Sequence, residues 1–232
     1  MNILILGCSF GVPNYYCDER SPSTGMKEHH LEFLLRDKGH VVHNCSQNAG
    51  SNLNTLDRAK KYLNGVPIVH PAYHQNAQTD QFVDQFIECK NIETLDLIIW
   101  FHTELSRDCI SATTVYSKFA EFFSTHNAKV AVIGGAGDVL PEFLTVYTPD
   151  FFIPSWRRLI LGKDVPLSNT LSGASSINNS KLTLTEKLKI VEDNLTLIEL
   201  IKQSPHFFDG CHPGEWPHRD LVNRMIGANL IT

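Results

Sequence analysis

The sequence predicts a three-layer α/β/α sandwich built on a mostly parallel sheet. Short runs of Ile, Leu and Val alternate with longer amphipathic stretches along the chain. Strands that alternate with helices need crossover connections, which make the sheet parallel and put helices on both of its faces. The 232 residues also suit one domain at roughly 100–200 residues per domain, long enough to bury a full core without a metal or a disulfide.

Each element follows in order. Asn2–Leu6, closed by Gly7, reads as a buried strand. Met26–Lys38 carries Leu31, Phe33, Leu34 and Leu35 and reads as a helix ended by Gly39. His40–Cys45, with Val41 and Val42, is a second strand. Leu53–Leu63 sets Leu53, Leu56, Ala59 and Leu63 at helical spacing. Leu95–Phe101 is a third strand, and Thr113–Thr125 forms a helix face from Val115, Phe119 and Phe122. Lys129–Ile133, stopped by Gly134-Gly135, is a fourth strand, and Phe151–Pro154 a short fifth. Thr183 and Glu186 have capping-box spacing ahead of Leu188, Val191, Leu195, Ile198 and Ile201. A last helix carries Leu221, Val222, Met225 and Ile226. The whole of 1–232 is expected to be a single domain with two insertions, at about 65–94 and 137–182. The first insertion holds Phe82/Phe86 and Val83/Ile87 as i, i+4 pairs within Gln81–Cys89. Loops of such length are functional or flexible as a rule.

Composition narrows the function classes. Twenty basic against 25 acidic side chains leave −5, with eleven histidines besides. That balance argues against a nucleic-acid partner, which needs a basic face to displace counterions from phosphates. No apolar run approaches the roughly 18–20 residues that span a bilayer, so no membrane partner is expected. The opening Met-Asn-Ile-Leu-Ile-Leu-Gly lacks the basic start of a signal peptide, and the six cysteines are scattered without a C-x-x-C pair. A cytoplasmic protein with reduced thiols is the expectation. The sequons at Asn44, Asn178 and Asn194 would then stay unglycosylated.

In an open parallel sheet, ligands bind beyond the carboxyl ends of the strands. The segments that follow the strands are Gly7-Cys8-Ser9-Phe10-Gly11, Asn48-Ala49-Gly50-Ser51-Asn52, His102-Thr103-Glu104-Leu105-Ser106-Arg107 and Gly134-Gly135-Ala136-Gly137-Asp138. Asp209-Gly210-Cys211-His212-Pro213 precedes the last helix. A serine at a strand-to-helix turn, with Asp and His three apart elsewhere, has the components of a nucleophilic triad. The imidazole takes the hydroxyl proton, and the carboxylate fixes its tautomer and stabilises the imidazolium. Small residues around Ser9 and Gly50 leave backbone N–H groups bare, as an oxyanion hole requires.

The motifs Ile-Leu-Gly-Cys-Ser-Phe-Gly at 5–11, Asn-Ala-Gly-Ser-Asn at 48–52 and Asp-Gly-Cys-His-Pro at 209–213, in this order and context, resemble those of the SGNH (GDSL-like) hydrolases. The resemblance implies a flavodoxin-like sheet and an esterase needing no cofactor. Ser9 would be its nucleophile and one oxyanion donor, the N–H of Gly50 the second donor, and Asp209 and His212 the rest of the triad. The third motif departs from the family pattern. Trp100-Phe101-His102-Thr103-Glu104 stands where Gly-x-Asn-Asp is usual, so the Asn donor has no identical counterpart. Thr103 is the nearest substitute, with His102 and Arg107 as alternatives. One lost donor costs about 2.7–4 kcal/mol, or roughly 100- to 1,000-fold in turnover. The leading expectation is therefore a serine esterase acting on a small-molecule or glycan ester, and the alternative is a weak or inactive binding protein on the same fold.

Other features point to blander roles. Cys8, Cys45, Cys211 and His212 invite a metal reading, as does His70-x-x-x-His74, but no paired-Cys motif or H-E-x-x-H appears, and Pro71 spoils a helix between the two histidines. No metal is expected. The Gly134–Gly137 run lacks G-x-G-x-x-G spacing and follows the fourth strand, not the first. Arg157-Arg158 reads as a solvated loop pair rather than an anion site. The aromatics Tyr73, Phe143, Tyr147, Phe151, Phe152 and Trp156 are expected to wall the substrate pocket.

Overall fold

A computed structural model of the chain describes residues 1–11, 30–47, 50–69, 86–87, 94–135, 138–162, 183–207 and 213–232. Its main sheet is five-stranded and wholly parallel, with helices on both faces, as the sequence predicts. The strands are β1 (Asn2–Gly7), β2 (Val41–Asn44), β5 (Leu97–His102), β6 (Lys129–Gly134) and β7 (Phe151–Ile153), laid side by side as β2-β1-β5-β6-β7. A small antiparallel pair, β3 (Ile68–Val69) and β4 (Phe86–Ile87), lies apart from it. Phe86 and Ile87 are thus extended, although each has an apolar residue four positions earlier.

The helices are α1 (Leu31–Asp37), α2 (Asn52–Leu63), α3 (Ala112–Ser124), α4 (Trp156–Leu161), α5 (Leu184–Gln203) and α6 (Glu215–Gly227). The central strands are apolar on both faces because each face is covered. Ile3, Ile5, Leu97, Ile99, Phe101, Ala131 and Ile133 pack with α1, α4 and α6 through Leu31, Leu35, Trp156, Leu221 and Met225. The alternate residues Leu4, Leu6, Ile98, Trp100, Val130 and Val132 pack with α2 and α3 through Leu56, Tyr62, Phe119 and Phe123. Trp100 stacks on Phe119 with ring centroids 3.8 Å apart. One continuous apolar run per strand therefore feeds two separate cores, with a period of two.

Element ends differ from expectation by at most two residues except at α1. There the described helix starts at Leu31 behind the cap of His30, whose Nδ1 accepts from the Glu32 N–H at 3.3 Å. Met26 lies outside the described residues, as do the polar stretch 167–180 and most of the first expected insertion, whereas 138–162 of the second are described. α5 corrects a reading of the pattern. Leu188 and Leu195, expected on its buried face, are 60% and 57% exposed, while Ile201 near its end joins the core.

Strand order determines where a site can form. β1 leads through α1 to β2 on one side, whereas β5 lies on the other side of β1. The order reverses between β1 and β5, and the crevice beyond their carboxyl ends is the place such sheets offer a ligand.

Candidate active site

Gly7 closes β1 with φ +148°, and a Cβ there would sit 2.6 Å from the Cβ and 2.7 Å from the carbonyl of Phe101. The missing side chain lets β1 and β5 stay close up to the point where the chain turns. Ser9 then opens a single 3-10 turn, Ser9–Gly11, closed by a 2.9 Å bond from the Gly11 N–H to the Cys8 carbonyl. Gly11 is required as well, since a Cβ would stand 2.2 Å from Ser46 Oγ.

Buried polar groups hold this turn from beneath. The Asn44 amide donates to the Gly11 carbonyl at 2.7 Å and to Glu32 Oε2 at 2.8 Å, and its oxygen accepts the Ser46 N–H at 2.9 Å. Glu32, 1% exposed, also pairs with Arg36. On the far side, Phe10 lies edge-on to Trp156, and the Arg157 guanidinium sits 5.0 Å from the centre of its ring. Arg157 is 4% exposed and so is not the solvated loop residue expected. As part of α4 it is folded in over Phe10, a placement that no pattern of neighbouring residues announces. Trp156 and Phe143 are also fully buried, so these two aromatics build core instead of walling a pocket. Tyr73 lies outside the described residues.

Beyond β2, the Gln47 N–H donates to the Gly7 carbonyl at 2.8 Å, tying the second motif to the first. The Gly50 N–H donates to the Gln47 carbonyl at 3.1 Å. The group that the resemblance assigns to an oxyanion is thus engaged within its own turn, and must share or give up that bond to accept one. Ser51 caps α2, its Oγ accepting from the Asn54 N–H at 3.2 Å.

Beyond β5, Thr103 is 1% exposed, and its Oγ1 has no hydrogen-bond partner among the described residues. β1 pairs with β5 as far as Gly7↔Phe101, so Ser9 and Thr103 each come two residues after the last paired position of their strand. Both of its peptide groups are held by Asn52, which donates from Nδ2 to the Thr103 carbonyl at 3.2 Å and accepts the Thr103 N–H at Oδ1 at 3.0 Å. Asp108 completes the set, accepting from Asn52 Nδ2 and from the Leu53 N–H, each at 2.8 Å. Of the alternatives to Thr103, His102 packs between the rings of Trp100 and Tyr116 on the α3 side, and Arg107 is ion-paired with Glu104.

Asp209 and His212 lie outside the described residues. Their flanks are placed. Phe207 and Pro213 form an antiparallel bridge, and the Gly214 N–H donates to the His206 carbonyl at 2.8 Å. In α6, which begins at Glu215, the His218 ring packs tilted against that of His30, centroids 4.5 Å apart, and His30 Nε2 lies 3.4 Å from the Phe10 carbonyl. The helix that follows Asp209–His212 therefore packs, through two imidazoles, on the turn that holds Ser9.

At the edge of β6, burial pushes the Asp138 carboxyl above its ordinary 3.8, against a hydrogen bond from Ser155 and the positive charges of Arg157 and Arg158. Burial likewise raises the Tyr116 hydroxyl to about 12, where its oxygen accepts the Leu140 N–H.

Sequence reasoning found the strand-end segments but missed Asn44, Asn52, Asp108 and Arg157. An asparagine in a turn-rich motif reads as a turn residue, and only the fold shows that these amides are buried.

No protein-family model matches the sequence, and no curated protein matches it. Among solved structures, the chain is similar to the psychrotrophic esterase EstA from Pseudoalteromonas sp. inhibited by monoethylphosphonate. Identity is 13% and the TM-score 0.38, over 85% of this chain and 96% of that one. It is also similar to the lipase/acylhydrolase from Enterococcus faecalis, with 15% identity and a TM-score of 0.41 over 97% of this chain and 95% of that one. At such TM-scores, any catalytic role has to stand on the chain's own residues.

Proposed function

We propose that the chain is a serine ester hydrolase of the SGNH type, with Ser9 as nucleophile, His212 as general base and Asp209 orienting His212. One observation carries this reading: the Ser9 turn and the buried Thr103 hydroxyl, which has no partner among the described residues, follow the two strands between which strand order reverses. The packing of α6 on the Ser9 turn supports it further, because the Asp209–His212 segment runs directly into that helix.

In the proposed reaction, Ser9 Oγ attacks the ester carbonyl while His212 takes its proton. The tetrahedral oxyanion is met by the N–H groups of Ser9 and Gly50 and by the Thr103 hydroxyl. Collapse expels the alcohol, which receives the proton from His212. Water then repeats the sequence on the acyl-serine and releases the acid. The substrate class is a small-molecule or glycan carboxylic ester, and the site of action is cytoplasmic.

Intact-protein mass after brief exposure to a small fluorophosphonate tests this without a substrate in hand. A single adduct on the wild type, absent from Ser9→Ala and His212→Ala, is the expected result. Folded wild type that takes no adduct at pH 7–8 overturns it. A second reading, a weakly active or inactive binding protein, is favoured by one observation, the bond that occupies the Gly50 N–H.

A further inference from the structure

We infer that Asn52 is the positioning residue of the oxyanion site, resting on the hydrolase reading above, and that it acts by holding the Thr103 main chain so that its hydroxyl serves as the donor the third motif lacks. Pairing of β5 with β1 ends at Gly7↔Phe101. Past that point, one carboxamide supplies Thr103 with the two bonds a neighbouring strand would give, an acceptor for its N–H and a donor for its carbonyl. Asn52 is itself 1% exposed and cannot swing away into water.

The second half of the device is Asp108. Its Oδ2 accepts from the same Asn52 nitrogen that reaches the Thr103 carbonyl, which orients the amide and excludes the flipped form. Its Oδ1 accepts the Leu53 N–H and anchors the first turn of α2. Two strand-end segments, after β2 and after β5, are thereby locked to each other across the crevice. A hydroxyl that turns freely on its own bond gains a fixed origin, and a donor aimed before the charge develops needs no rearrangement when it does. A helix-forming role alone would be met by many residues at the first position of α2. Reading both peptide groups of a buried residue on another element requires a carboxamide.

A double-mutant cycle tests this. Asn52→Ala, Thr103→Val and the double variant are compared for kcat and KM on p-nitrophenyl acetate, with Tm measured alongside. Thr103→Val is expected to lower kcat by roughly 100- to 1,000-fold and Asn52→Ala by up to the same factor, each with KM changed by less than about threefold. The double variant should fall no further than the worse single, because Asn52 works through the hydroxyl that Thr103→Val has removed. Thr103→Val should keep or raise Tm, since it deletes a buried hydroxyl with no partner among the described residues. Losses that multiply, or an Asn52→Ala that lowers Tm and leaves kcat intact, overturn the inference while the hydrolase reading stands. A wild type with neither turnover nor fluorophosphonate adduct overturns both. Where Asn52→Ala does not fold, Asp108→Asn takes its place in the cycle, because an NH2 group then replaces one of the two oxygens that accept from Leu53 and Asn52 and cannot accept in its place.

Discussion

The residues that shape this site are mostly buried polar ones whose groups are spoken for. Asn44, Asn52 and Glu32 are at most 1% exposed, and each is hydrogen-bonded to another strand or helix. The Thr103 hydroxyl differs in having no partner among the described residues, and a buried donor so placed is a cost that a functional site tolerates. Asp138 gives a second residue-scale prediction. Burial raises its folded pKa, so the folded chain holds this proton more tightly than the unfolded one. The resulting stabilisation is present below about pH 3.8 and is lost as pH rises through the folded pKa. The Tm of Asp138→Asn relative to wild type should therefore climb from pH 4 towards neutrality and then level off. A difference that runs the other way would show that attraction to Arg157 outweighs burial.

At the scale of elements, close approach of backbones places the fifth strand. A Cβ on Gly134 would lie 2.0 Å from the Pro154 carbonyl oxygen and 3.1 Å from the Ser155 Cα. These are backbone atoms with no rotamer to move, so Gly134→Ala must push β7 and the start of α4 outward. A loss on the order of 2–4 kcal/mol is expected in urea denaturation, near or above the usual cost of overpacking. Gly227→Ala at the end of α6 is the control. Nothing lies within 4 Å of its Cβ and its φ is not positive, so it should be neutral or stabilise by about 0.4–1 kcal/mol. Equal effects at the two glycines would show that β7 has room to yield. The α5 pattern failed for a related reason. Helical spacing identifies a face, but which part of that face meets the sheet depends on where the helix lies, and Ile201 meets it while Leu188 does not.

For the molecule as a whole, the sheet's centre and edges should differ in stability. β1, β5 and β6 are each paired on both sides, while β2 and β7 are edges. In native-state hydrogen exchange the slowest amides should fall in β1, β5 and β6, with β2 and β7 opening at lower free energy. Protection as high in β7 as in β5 would mean that the open edge is covered by further structure. The crevice proposed as the active site lies between β1 and β5, both paired on each side, which suits a site that must keep donors fixed in place.

By itself the sequence determined the parallel sandwich, most of its elements and the strand-end segments. Apolar period and turn chemistry are local, and crossover connections leave a chain of alternating strands and helices little other choice. It also pointed to Ser9, Gly50 and Thr103, through the segments that follow the strands and their resemblance to the motifs of a known family. Only the tertiary structure decided that Asn52 clasps Thr103, that Arg157 is buried over Phe10, and that the Gly50 N–H is already engaged. Those are contacts between segments up to 147 positions apart, as Phe10 and Arg157 are. The direction of a side chain across such a distance follows from how the layers pack, and no spacing along the chain encodes it.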